Sequence, residues 1–195
     1  MYLIANLPED VNKKLDEVIN KKHTERANQD LAGNIQNEFM LPEGKPIVWP
    51  LISTCIQEHF KKFPNYYGRI SGMHTTKKFN LQLHHLWVNY QKKYEFNPMH
   101  IHDGLFSFVI WHKVPYKIED ERARFPHMKQ DEIRAGHFAF LTTNELGQIV
   151  SIEIPADKTW EGKMALFPAN LNHLVYPFYT SDEYRISISG NVGFQ

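Results

Sequence analysis

Residues 87–115 read WVNYQKKYEFNPMHIHDGLFSFVIWHKVP. The stretch opens and closes in strand-like runs, and between them stands a histidine pair, His100 and His102. Side chains alternate between the faces of a strand, so the two imidazoles project together while Ile101 projects the other way. On the run before the pair, Asn89 and Gln91 alternate with Trp87 and share its face. That face is either the inside of a barrel or a solvated surface. A third histidine, His173, lies far downstream in FPANLNHLVYP (167–177), and Arg185 and Ser187 follow on one face of YRISISGN (184–191). Neutral imidazoles suit iron, zinc, copper and nickel. A guanidinium suits a carboxylate, because its planar fork makes two parallel charge-assisted bonds.

Further strand-like runs surround this stretch. Residues 81–91, 105–113, 137–142, 149–154, 163–167, 174–178 and 184–192 are rich in β-branched and aromatic residues, and Gly, Pro, Asn and Asp punctuate them. Short strands at such spacing predict a sandwich or barrel. The N-terminal third predicts helices. Pro8 is placed for a helix start, and Val11, Leu15, Val18 and Ile19 fall on one face. A second helix is expected over about 50–62, with Leu51, Cys55, Ile56 and Phe60 inward, closed by Phe63 to Gly68. Residues 21–37 and 116–135 read as loops, the latter charged and placed over a barrel mouth. No linker divides the chain. It is read as one domain over 1–195, with a mostly helical part at 1–68 and a β core at 79–195.

Lys+Arg and Asp+Glu each number 22, so the formal charge is +0, which argues against a nucleic-acid or lipid partner. The one cysteine, Cys55, allows no disulfide within the chain and sits in an apolar helical stretch as a small buried hydrophobe. With no signal-peptide pattern and no long apolar run, a cytoplasmic protein is expected.

The segments 87–115 and GKMALFPANLNHLVYPFYTSDEYRISISGNV (162–192), with a fainter contribution from LAGNIQNEFMLP (31–42), resemble the iron(II)/2-oxoglutarate-dependent oxygenases. More narrowly, they resemble an oxygenase family of phages and bacteria related to prolyl hydroxylases. The resemblance implies a mainly β double-stranded β-helix, or jelly roll, with the N-terminal helices packed outside. It implies Fe(II) and 2-oxoglutarate at its centre, O2 as cosubstrate, and a hydroxylase acting on a small molecule or a peptide or protein side chain. His100, His102 and His173 stand where the metal ligands belong. Arg185 and Ser187 stand where the far carboxylate of 2-oxoglutarate is held, and Asn89 is placed to reach the cofactor.

One position departs from the superfamily pattern, in which His-x-Asp precedes the second His: residue 102 is His. Three assignments follow. All three histidines bind the metal; or His100 and His173 pair with Asp103 at a bulge; or His102 takes the first role and Gly104 leaves a coordination position open. Strand parity favours the first. A three-histidine dioxygenase that needs no 2-oxoglutarate, and a barrel that binds without catalysis, are the other functional readings. Structural or surface roles are expected for His84, His85, His112, His127 and His137, core packing for Phe108, Trp111 and Tyr90, and solvent exposure for Arg122 and Arg124.

Overall fold

The computed structural model describes residues 1–66 and 80–195. Tyr67 and Gly68, read above as part of the close of the second helix, and residue 79 lie outside the described residues. The described strands form two antiparallel sheets. The strands are β1 (Leu3–Asn6), β2 (Asn37–Met40), β3 (Leu81–Gln91), β4 (Asn97–His100), β5 (Phe106–Lys113), β6 (Phe138–Thr143), β7 (Ile149–Ile154), β8 (Lys163–Pro168), β9 (His173–Val175) and β10 (Arg185–Phe194). A six-stranded sheet runs β1-β8-β5-β10-β3-β2, and a four-stranded sheet runs β4-β9-β6-β7. This is the double-stranded β-helix expected above.

The six-stranded sheet has a different chemistry on each face. On β5, Phe106, Phe108 and Ile110 join Leu86 and Val88 of β3, Met164 and Leu166 of β8 and Ile188 of β10 in one buried cluster. Helices α1 (Glu9–Ile19) and α2 (Lys45–Lys62) cover that cluster through Leu15, Val18, Ile19, Val48, Ile52 and Ile56. The alternate residues Val109, Trp111, Ala165 and Phe167 face the four-stranded sheet and pack against Phe138 and Phe140. Period-2 alternation thus gives one sheet an outer core under helices and an inner core between sheets.

On β3 that alternation survives an interruption. Asn191 pairs with His85 but Val192 pairs with Leu83, a register shift that leaves His84 extra. The bulge lets Leu81 and Leu83 pack with the same outer cluster as Leu86 and Val88, although their numbers differ in parity. The His84 ring bonds the Phe194 carbonyl (2.8 Å) across the bulge.

The N-terminal third is not all helix. β1 and β2 come from it and form the two edges of the large sheet, β1 beside β8 and β2 beside β3. Both are four residues long, too short for alternation to stand out in the sequence. Helix α2 starts at Lys45, five residues before the expected Pro50, and Pro46 in its first turn suits a helix start. It buries Val48, Ile52, Cys55, Ile56 and His59, so Cys55 and Ile56 face inward as expected, while Leu51 and Phe60 are half-buried. The charged stretch 116–135 holds a short helix, α3 (Ile118–Ala123). Buried Glu121 in its first turn accepts the backbone N–H groups of Tyr179 (2.8 Å) and Thr180 (2.9 Å), which pins the stretch to the chain before β10. Cys55 is buried and free, and His112 bonds Asp16 (2.7 Å). No described helix is long and apolar enough to cross a membrane.

Candidate active site

His100 ends β4, and its Cα partner across the ladder is His173, the first residue of β9. The two rings are therefore neighbours on adjacent strands, with centroids 4.2 Å apart. His102 lies beyond the strand end, where its backbone N–H bonds the Ala169 carbonyl (2.9 Å) and keeps the chain extended. Its ring centroid is 4.9 Å from that of His100 and 5.0 Å from that of His173. Ile101 between them is exposed, as parity requires. One ligating atom from each of the three rings lies within 4.8 Å of the others.

Two of the rings are oriented by their own backbone. His100 Nδ1–H donates to the Pro98 carbonyl (2.7 Å), and His173 Nδ1–H donates to the Leu171 carbonyl (2.8 Å). This tautomer leaves Nε2 unprotonated with a free lone pair, as a ligating imidazole requires. Burial lowers the pKa of all three. His102 falls to about 4 through burial and then the nearby His100, and His173 falls to about 3 for the same two reasons. The rings are neutral at physiological pH. His173 is the most enclosed, against Phe138 and Phe167.

Across the cavity, β10 and β3 present a polar wall on the inner face of the large sheet. Arg185, Ser187, Asn89 and Gln91 are all buried and line the same cavity as the histidines. Arg185 is opposite Gln91 in the ladder, and Ser187 is opposite Asn89. Arg185 Nη2 donates to Gln91 Oε1, and Nη1 donates to the Tyr116 hydroxyl (2.9 Å). Tyr116 in turn donates to the Gly136 carbonyl (2.8 Å) and stacks on Phe178. Arg185 Nε is buried with no hydrogen-bond partner among the described residues. The Asn89 amide donates to Ser187 Oγ (3.1 Å), so the Ser187 hydroxyl hydrogen is available to an acceptor in the cavity.

The alternatives at the histidine pair have plain geometry. Asp103 is exposed, lies outside the cluster of ring nitrogens and lines a neighbouring groove. Gly104 has φ +99°, and a Cβ there would come within 2.7 Å of the Val192 carbonyl oxygen. That position needs glycine for close backbone approach. Leu31, Trp87 and His102 line both the inner cavity and the groove, which has a volume of about 870 Å³. Sequence reasoning left the placement of Asn89 and Gln91 open, and both are inside. It missed Tyr116, which falls in an aperiodic charged stretch. It also missed Glu38, a fully buried carboxyl on β2 that lines the cavity.

A family model described as "Putative 2OG-Fe(II) oxygenase" matches residues 85–191, more than half of the chain. The chain belongs to the 2OG-Fe(II) oxygenase family. Among solved structures, this oxygenase is similar to a Pseudomonas putida prolyl-4-hydroxylase, with TM-score 0.52 and 13% identity over 97% of this chain and 90% of that one. It is also similar to a 2OG-Fe(II) oxygenase family oxidoreductase from Burkholderia pseudomallei, with TM-score 0.51 and 14% identity over 98% of this chain and 84% of that one. A search of the curated proteins finds no match. The protein is thus an enzyme that uses Fe(II), with 2-oxoglutarate and O2 as cosubstrates. Its residues fit both groups: three neutral imidazoles could hold the ion, and a buried guanidinium with an unpartnered N–H could hold a carboxylate.

Proposed function

We propose that the enzyme is a hydroxylase acting on a peptide or protein side chain, with His100, His102 and His173 as the metal ligands. Arg185 holds the far carboxylate of 2-oxoglutarate, assisted by the Ser187 hydroxyl, with Asn89 orienting that hydroxyl. When bound, iron and 2-oxoglutarate supply oxidation of a substrate C–H bond by O2, coupled to loss of CO2 and formation of succinate. The protein's part is positional. Two backbone carbonyls fix the rings of His100 and His173, and Gln91 and Tyr116 fix the plane of the guanidinium. The aromatic wall of Phe138, Phe167 and Trp111 keeps water from the centre.

The observation that carries this reading is a single cavity with three clustered ring nitrogens on one sheet and a buried arginine on the other. A three-histidine dioxygenase without 2-oxoglutarate would leave that arginine buried for no purpose, and burying a charge is costly. Three imidazoles bring no negative charge to the metal, unlike two histidines and a carboxylate. The single buried cysteine fits a cytoplasmic setting. The test is anaerobic titration of the Fe(II) protein with 2-oxoglutarate, followed by the visible charge-transfer band. The band is expected in the wild type, and Arg185→Ala should raise the 2-oxoglutarate concentration needed by roughly ten- to a hundred-fold. A wild type without the band, or an Arg185→Ala titration that does not shift, would overturn the reading.

A further inference from the structure

The inner polar wall continues one strand beyond the proposed 2-oxoglutarate anchor. Ser187 on β10 faces Asn89 on β3, and Asn89 faces Glu38 on β2. Three neighbouring strands thus form one row, and Glu38 lies two strands, or roughly 10 Å, from Ser187. Its side chain is fully buried and lines the cavity. A buried carboxylate ordinarily has an ionic partner or a full set of donors. Among the described residues Glu38 has neither. Oε2 accepts only the Asn28 amide (3.1 Å) there, and Oε1 has no hydrogen-bond partner. Arg185 makes no ion pair with it: its Nη2 and Nη1 donate to Gln91 and Tyr116.

Two more acceptors in the same cavity, one on each sheet, are also unsatisfied. Among the described residues, Asn89 Oδ1 and Asn97 Oδ1 are buried without partners, and both residues line the cavity. Glu38 Oε1 and Asn97 Oδ1 converge on Gly33, where a Cβ would meet them at 3.2 and 2.4 Å. The cavity therefore holds three unsatisfied acceptor oxygens, one of them on a carboxyl. Leaving such groups unpaired is costly, and a ligand bringing N–H donors and positive charge relieves that cost. The carboxyl is held up to about 7 by burial and then by the neighbouring Glu95, the state of an acid with no cation beside it.

We infer that Glu38, with Asn89 and Asn97, is the substrate-recognition subsite, and that the substrate presents a cationic nitrogen, an ammonium or guanidinium group, to it. The inference rests on the proposed hydroxylase reading and narrows its side chain to a basic one. Arginine's planar fork can use several acceptors at once, whereas lysine offers three donors from one point.

The test uses the full chain loaded with Mn(II) and 2-oxoglutarate. The probes are the Nα-acetyl methylamides of arginine and lysine, and their neutral near-isosteres of citrulline and norleucine. Binding is read as Mn(II)-induced broadening of the probe's side-chain protons, which reports binding close to the ion. At least one cationic probe should bind roughly ten-fold or more tightly than its neutral counterpart. Glu38→Gln should bring that ratio down to about two or less. Equal binding of charged and neutral probes by the wild type, or a preference that survives Glu38→Gln, would overturn the inference. If Glu38→Gln does not fold, Glu38→Asp replaces it, with the carboxylate withdrawn by one methylene and the ratio expected to fall. The wild-type ratio decides by itself if it is near one. The anaerobic Fe(II) band is recorded on the same wild-type preparation. Its absence defeats the hydroxylase reading, and its presence without a cation preference defeats only the subsite.

Discussion

Arg185 is held in place by a short relay in which each residue depends on the next. Its Nη1 donates to Tyr116, and Tyr116 donates to the carbonyl of Gly136. Gly136 has φ +76°, and a Cβ there would come within 2.6 Å of the Tyr116 ring. Gly136→Ala is therefore strained twice, in its backbone and against the ring. The expected outcome is a rise of roughly ten-fold in the KM for 2-oxoglutarate with Mn(II) affinity unchanged, measured by succinate release and by metal titration. Glu38 leads to a second expectation at this scale. Its carboxyl titrates near 7 in the native state and near 4.5 when unperturbed. Between those values the native protein holds a proton that the unfolded chain has released, so this group's contribution to stability falls as pH rises from about 4.5 to 7. Glu38→Gln removes that dependence. Urea midpoints at pH 5 and pH 7.5 should show the variant gaining on the ligand-free wild type at the higher pH.

The elements that sequence patterning revealed are those with enough residues to show a period. β3, β5, β6, β7, β8 and β10 are close to the expected runs, and α1 carries the expected stripe, with Leu15, Val18 and Ile19 buried. β1 and β2 have four residues each and were not read as strands, and of β4, equally short, only the histidine end was read as one. β9 has only three, and the expected run over 174–178 leaves the sheet after Val175. The histidine pair was legible because parity holds through Ile101 even though the ladder ends at His100. Glu38 was not, because a lone glutamate in NEFM looks like an exposed edge residue until β2 is seen against β3. The outer helices bear on stability and not on chemistry. Leu15→Ala removes a fully buried side chain between α1 and the sheet's outer cluster. The expected cost is about 2–5 kcal/mol in chemical denaturation, with Mn(II) affinity unchanged because the inner face is untouched.

At the scale of the molecule, the two sheets supply different halves of one centre. His100 and His173 come from the four-stranded sheet, and Arg185, Ser187 and Asn89 come from the six-stranded one. An ion held by His100, His102 and His173 would tie β4 to β9 in the folded state alone. Mn(II) should therefore raise the melting temperature of the wild type in a concentration-dependent way, as any ligand selective for the native state does. His173→Ala should abolish that rise, as followed by thermal unfolding monitored with circular dichroism. The opposite faces of the large sheet also divide the labour of change. Because the bulge at His84 keeps Leu81, Leu83, Leu86 and Val88 together under the helices, the inner positions 87 and 189 and their neighbour 38 can be exchanged with little disturbance to the packing beneath α1 and α2, while Asn89, Gln91, Arg185 and Ser187 stay as the proposed anchor. A library confined to those three sites would sample new selectivities on an intact scaffold, and the same independence gives a lineage room to drift from one target to another.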